Sequence, residues 1–259
     1  MLGVVTGPSL DVSAVARRLA TAGCVAAERE AAELLAAAPD PEMIGPWVRR
    51  REAGEPLAWI TGWTTFCGRR RRVDPGVYVP RPQTEVLARR AADLLPVGGR
   101  AVDLCTGSGV VAAHLRDADG SASVVGVDID ARAAACARRN GVPVVVGDLD
   151  RALHALAALD VVTAVAPYVP RVELALLPAD VRAYEPRAAH DGGADGLALV
   201  RRVVVASGGL LRRGGRLLVE LGGEQDDLLA DDLDAAGFVE TETWRDAEGD
   251  LRGLVARRR

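Results

Sequence analysis

Val102-Asp103-Leu104-Cys105-Thr106-Gly107-Ser108-Gly109 is a short apolar run, holding a single acid, that ends in a glycine-rich turn. Continuous apolar runs of this kind are what a parallel strand buried on both faces needs. The glycines let the backbone turn sharply out of the strand. Val110-Val111-Ala112 comes next and starts a helical pattern over 110–116.

Outward from this stretch the alternation continues. A helix over 84–95 precedes the first strand, 100–104. After the helix 110–116 come strand 123–127, helix 131–139, strand 142–146 and strand 161–165. A long helix over 197–211 leads to strand 215–221. A helix over 225–236 then leads to two terminal strands, 238–244 and 251–256. Strands alternating with helices imply a doubly wound, mostly parallel α/β sheet covered on both faces, a Rossmann-like class.

The first 82 residues are different. Val15, Leu19 and Ala22, then Ala31, Leu34 and Leu35, then Ile44, Trp47 and Val48 recur at helical steps between residues 10 and 52. Pro39-Asp40-Pro41 interrupts them, with Asp40 placed to cap a helix that begins at Pro41. Residues 64–79 carry Thr64, Thr65, Phe66, Val73 and Val77-Tyr78-Val79, with Asp74-Pro75-Gly76 as the expected turn of a β-hairpin. The expected division is a helical domain over 1–63, a hairpin linker over 64–82 and the α/β domain over 83–259.

Composition narrows the function classes. Hydrophobic residues make up 49% of the 259 and aromatics 3%, so Ala, Val and Leu must fill the core. All 32 basic residues are Arg, and the net charge of −4 gives no footprint for nucleic acid. Cys24, Cys67, Cys105 and Cys136 lack CxxC spacing, which argues against a zinc site and a disulfide framework. His114, His154 and His190 adjoin no serine or cysteine motif. With no basic segment leading an apolar core at the N-terminus and no membrane-length apolar run, the chain reads as a soluble cytoplasmic protein.

The glycine turn fits a dinucleotide fingerprint, GxGxxA, over 107–112. Two acids redirect it. Asp103 sits just before the turn, where it would repel a pyrophosphate but could help hold the ammonium of S-adenosylmethionine through charge and water. Asp128, in Val127-Asp128-Ile129-Asp130, ends the second strand and is placed to accept both ribose hydroxyls. Asp148 and Leu149 end the third strand, where an adenine would meet the acid and stack on the leucine. The expected cofactor is therefore S-adenosylmethionine rather than NAD. Its expected binding residues are Asp103, Cys105, Thr106, Gly107, Ser108, Gly109, Asp128, Ile129, Asp148 and Leu149.

Further segments carry a family likeness. Gly54-Glu55-Pro56 with Gly62, Val79-Pro80-Arg81-Pro82-Gln83-Thr84-Glu85, Tyr184-Glu185-Pro186-Arg187, Gly192-Gly193-Ala194-Asp195-Gly196-Leu197 and Glu220-Leu221-Gly222 occur in that order. Together they resemble the HemK-type protein-(glutamine-N5) methyltransferases over most of the chain. The resemblance implies a seven-stranded class I methyltransferase domain, a small N-terminal helical domain that recognises a protein substrate, and a release factor or ribosomal protein as that substrate. It also implies that Val165, Ala166, Pro167 and Tyr168 stand at the catalytic Asn-Pro-Pro-Tyr motif. The motif Asn side chain and the next carbonyl would accept the two amide hydrogens of the glutamine, aiming its nitrogen. Here Pro167 and Tyr168 remain and Val165 replaces the Asn. Three readings are open: an enzyme acting on a protein glutamine amide with another group in place of Asn, an enzyme with a different, small-molecule acceptor, or a cofactor-binding protein that has lost catalysis. No basic target-recognition segment supports DNA adenine methylation.

Overall fold

The computed structural model describes residues 11–149 and 158–259. The first ten residues of the expected helical domain, and His154, lie outside the described residues.

Four helices come first: α1 (Val12–Thr21), α2 (Ala27–Ala37), α3 (Pro41–Glu52) and α4 (Leu57–Thr61). The side chains of Asp11 and Asp40 cap α1 and α3 by accepting from Ala14 N (2.6 Å) and Glu42 N (2.8 Å). Capping of this kind satisfies orphan donors at a helix start. Val15, Leu19, Leu34, Trp47, Val48 and Ile60 bury one another in a core belonging to these helices alone. Tyr184 Oη, donating to Ala53 O (3.0 Å), and the edge-on pair Trp59–Tyr184 tie the helices to the rest of the chain.

The hairpin pairs β1 (Trp63–Phe66) with β2 (Arg69–Arg72), turning at Cys67-Gly68. This corrects the expected turn at Asp74-Pro75-Gly76. A two-residue hairpin turn of the favoured hand needs positive φ at both central residues; Cys67 (φ 48) and Gly68 (φ 74) adopt it, and Glu85 Oε1 accepts from Cys67 N at 2.9 Å. Residues 74–77 do turn, with Val77 N donating to Asp74 O (3.1 Å). Val77-Tyr78-Val79 is then not a strand; Trp59 Nε1 donates to Val77 O (3.0 Å) and holds it against α4.

The second part comprises α5 (Thr84–Leu94), β3 (Arg100–Leu104), α6 (Val110–Ala118), β4 (Ser123–Asp128), α7 (Ala131–Arg139), β5 (Val144–Val146) and β6 (Leu159–Ala164). After these come α8 (Ala179–Tyr184), α9 (Ala198–Leu210), β7 (Leu211–Glu220), α10 (Gln225–Leu228), α11 (Ala230–Ala235), β8 (Phe238–Arg245) and β9 (Leu251–Arg258). The strands form one seven-stranded sheet in the order β5-β4-β3-β6-β7-β9-β8. Strands β3 to β7 run parallel, and β9 is antiparallel to both β7 and β8.

Both faces of the sheet are covered, as period-two alternation along β3 requires. Val102 and Leu104 face α9 and α11 with Val203, Val204 and Leu233. Ala101 faces α5 and α6 with Leu87, Ala88 and Leu115. The order reverses between β3 and β6, and the crevice at such a switch point, outside the carboxyl ends of the strands, is where open α/β sheets bind ligands.

Of the boundaries that differ from those expected of the sequence, three have a physical reason or bear on the site. Strand β5 starts at Val144, because Pro143 has no N–H to give and Val142 N instead closes α7 on Ala137 O (3.2 Å). Strand β6 ends at Ala164, so Val165 lies just beyond it. The helix expected over 225–236 is two, interrupted at Leu229, whose side chain is fully buried.

Candidate active site

A cavity of about 660 Å³ opens over the carboxyl ends of β3, β4, β5 and β6. It is bordered by Cys105, Gly107, Asp128, Ile129, Asp148, Leu149 and all four residues of Val165-Ala166-Pro167-Tyr168. Thus most of the candidate residues meet in one space.

At one end the turns after β3 and β4 are locked together. Gly107 N donates to Asp128 Oδ2 (2.8 Å), and Asp130 N donates to Asp128 Oδ1 (2.9 Å). Each carboxylate oxygen keeps a second lone pair free. Burial pushes the Asp128 carboxyl above the usual range, against those two amide donors. A side chain at Gly107 would meet nothing within 4 Å, so its backbone offers open room to a ligand. Ile129 is exposed at the rim, 73% accessible, whereas Leu149 is buried with φ 48. Between them the cavity has two apolar walls.

Not every candidate borders that space. Gly109 starts α6 with φ 78, and a Cβ there would come within 2.7 Å of Ala137; its task is close packing against α7. Asp103, Thr106 and Ser108 lie behind the turn, around a second cavity of about 30 Å³ that Val165 and Tyr78 also border. Asp103 accepts from Thr106 Oγ1 (2.6 Å) and from Thr163 Oγ1 (2.7 Å). Its burial pushes the carboxyl up to about 6, against the lowering effect of the two hydroxyls. Asp148 is already engaged: Arg202 Nη2 donates to both its oxygens (2.8 and 2.7 Å).

These features fit S-adenosylmethionine. The cavity has the room, an accepting carboxylate at the end of the second strand, and apolar surfaces on either side for a flat base. Gly107 N, the donor a phosphate would use, is already committed to Asp128.

The other end is built from segments far apart in sequence. Tyr168 Oη donates to Glu220 Oε1 (2.8 Å), and Thr84 Oγ1 donates to Glu220 Oε2 (2.6 Å). Gln225 Nε2 donates to Tyr168 O (2.8 Å). Burial raises the Glu220 carboxyl and the Tyr168 and Tyr78 phenols, so both phenols stay protonated at neutral pH. Arg81 Nη2 donates to Glu185 Oε1 (2.7 Å), and His190 Nε2 lies 3.1 Å from Glu185 Oε2. Val165 packs its side chain against the core on the α5–α6 side and presents no polar atom.

The sequence alone gives no role to Arg81, Gln83, Glu185, Glu220 or Gln225, although segments around the first four carry the family likeness. The available signal is that buried charges need partners: Arg81 and Glu185 are the base and acid of two motifs about a hundred residues apart. His190 and Arg202 have no comparable signal. Among the described residues no cluster of three His, Cys, Asp or Glu could hold a metal ion. No described helix is long and apolar enough to cross a membrane.

The family model for a methyltransferase domain matches residues 101–183. The release factor glutamine methyltransferase of Geobacter sulfurreducens is 38% identical over 78% of this chain and 73% of its own length. A 4-amino-L-phenylalanine/4-methylamino-L-phenylalanine methyltransferase of Streptomyces pristinaespiralis is 34% identical over 86% of this chain and 81% of its own. The crystal structure of ribosomal protein L11 methylase from Lactobacillus delbrueckii subsp. bulgaricus shares the fold, with TM-score 0.52, 16% identity, and 73% and 85% of the two chains covered.

Proposed function

The chain belongs to the HemK-type family of protein-(glutamine-N5) methyltransferases, and from that premise we propose that it methylates the side-chain amide nitrogen of a glutamine in a protein, a release factor being the first candidate. That it is an S-adenosylmethionine-dependent methyltransferase is the coarser statement, which family membership and the methyltransferase domain carry. The observation behind the finer one is the Pro167-Tyr168 wall, braced by Glu220 and Gln225 at the far end of the cofactor-sized cavity.

When bound, S-adenosylmethionine supplies a methyl group on a positively charged sulfur, open to attack by a nucleophile. Asp128 would hold its ribose hydroxyls. Ile129, Leu149 and Asp148, paired to Arg202, would hold its adenine. The turn from Cys105 through Ser108 would hold its amino-acid end, with Asp103 acting at one remove. The 30 Å³ cavity beside it has the volume of about one water. The helices before the hairpin serve as the docking domain for the protein substrate.

At the acceptor end, Pro167 fixes the backbone and the Ala166 carbonyl accepts one amide hydrogen. Holding the nitrogen in line with the methyl group is where such a site does its work, and good alignment is worth ~7–11 kcal/mol of barrier. Val165 leaves the second hydrogen without the side-chain acceptor that the family motif supplies.

That gap favours a second reading, a small aromatic amine as acceptor, which has no carbonyl-conjugated amide to orient; the Streptomyces relative is named for such a substrate. The deciding experiment incubates the protein and methyl-labelled S-adenosylmethionine with a release factor and, separately, with 4-amino-L-phenylalanine. Label on a glutamine of the protein supports the first reading, and label on the amine alone supports the second. Label on neither, with the cofactor bound, refutes both acceptors.

A further inference from the structure

His190 is a base-capable side chain that neither the motifs nor the cofactor site uses. It is 8% exposed and borders the main cavity. The backbone fixes it beside the acceptor motif: Val169 N donates to His190 O (3.0 Å), Gly192 N donates to Val169 O (2.9 Å), and Val169 forms a parallel bridge with Asp191. Tyr78 spans the gap between them. Its ring meets the imidazole edge-on at 5.4 Å, and it shares the small cavity with Val165.

The polarity of the imidazole is set by its partner. The Glu185 side chain is 2% exposed, and its Oε1 takes the Arg81 guanidinium at 2.7 Å, a partner for an ionised carboxylate. An ionised carboxylate only accepts, so the His190 Nε2 that lies 3.1 Å away carries the hydrogen and donates. In the neutral ring the lone pair is then on Nδ1, for which no described residue supplies a hydrogen-bond partner. A ring nitrogen oriented by a carboxylate through its other nitrogen is the arrangement by which histidine takes up a proton.

We propose that His190 is the proton acceptor of the methyl transfer, positioned by Glu185 and Arg81. This rests on the reading that the acceptor atom is a nitrogen, and holds for an amide or an amine alike. The nitrogen lone pair forms the new N–C bond while the C–S bond breaks and its electron pair stays on sulfur. The nitrogen, now cationic, gives its surplus proton to Nδ1. The imidazolium is stabilised by Glu185 and releases the proton to solvent through the cavity mouth. Without a side-chain acceptor at position 165, a base nearby supplies the missing attraction for the departing hydrogen. The other ionisable groups around the ring are Tyr78, and Asp191 with Arg171 and Arg187, which pair with one another at the surface. Tyr168, which donates to the buried Glu220, borders the same cavity.

The test has two arms on the full chain. Nitrogen-15 NMR of the histidines reads protonation directly. His190 is expected to carry its hydrogen on Nε2. A hydrogen on Nδ1 overturns the proposal. Single-turnover transfer to a release factor and to 4-amino-L-phenylalanine is the second arm. His190→Ala and His190→Gln should each lose ~10²-fold or more, with S-adenosylhomocysteine affinity unchanged, and added imidazole should restore part of the rate in His190→Ala. Gln can keep the hydrogen bond to Glu185 but takes no proton. Recovery of the rate in His190→Gln would therefore show a structural role and overturn the proposal. If the unaltered protein labels neither probe, the acceptor assignment fails, and the NMR arm still decides the state of His190.

Discussion

The two ends of the cleft are built by different rules. The cofactor end is local: the segments that leave three successive strands, at residues 105–107, 128–130 and 147–149, border the part of the cavity proposed to hold the cofactor. The acceptor end is assembled from a distance. Tyr168, Thr84, Glu220 and Gln225 interlock across separations of up to 136 residues, and Arg81 reaches Glu185 across 104. A local device is fixed by the strand ends themselves. A distributed one depends on every contributor, and a substitution such as Val165 can alter its chemistry while the sheet below stays intact.

The largest expected effect is at the local end. Asp128→Ala removes the acceptor of Gly107 N and Asp130 N and, in the proposed site, two charge-assisted bonds to the ribose, each worth ~1.5–3 kcal/mol. Affinity for S-adenosylmethionine should fall by ~10²-fold or more, measured by calorimetry. Unchanged affinity would remove Asp128 from the ribose site and break the division between the two ends. Asp128→Asn, which can accept but carries no charge, should fall between.

How much of the molecule is legible in its sequence tracks the same division. The Val102–Gly109 stretch reveals its strand and turn because buried parallel strands and φ-positive glycines leave marks within a few residues. The alternation beyond it gives the seven strands within a few residues of their ends. The hairpin turn is misplaced because Asp74-Pro75-Gly76 is a strong turn signal, while a cysteine at φ 48 in Cys67-Gly68 is not. At the acceptor end, sequence motifs mark Arg81, Glu185 and Glu220, but nothing local says that the first two pair or that Tyr168 leans on the third. His190 is silent because, although Glu185 lies only five residues away, nothing local says that the two side chains meet, and the cavity they border is built by distant segments.

A smaller effect probes the floor between the two ends. Asp103 is buried with its carboxyl raised to about 6, against an ordinary value of 3.8. The folded state therefore binds this proton more tightly than the unfolded chain. Its contribution to stability is fully present below about pH 4 and is lost as the pH rises through about 6, on the order of 3 kcal/mol in all. Urea unfolding between pH 4 and 7.5 should show this slope superposed on those of other groups, and Asp103→Asn should flatten it. An equal slope in the variant would mean that other groups carry it.

The smallest effect bears most on function, and it sits where the two ends meet. Val165 comes directly after the last residue of β6, packs against the α5–α6 core and borders both cavities. Val165→Asn gives up part of that apolar packing, roughly 1 kcal/mol of stability. The carboxamide need not stay unpaired, because the small cavity offers Tyr78, Thr84, Thr106 and Ser108 around it. In exchange the acceptor end regains a side-chain oxygen. An unpaired buried donor costs ~1–3 kcal/mol. Supplying its acceptor at the transition state should therefore speed transfer to a release-factor glutamine by one to two orders of magnitude. Single-turnover rates at saturating cofactor measure it. Equal rates in the two proteins would show that another group already holds the amide. A gain on glutamine with a loss on 4-amino-L-phenylalanine would show that position 165 sets acceptor choice, and that the distributed end of the cleft can be redirected by one side chain while Asp128 and its turn are left as they are.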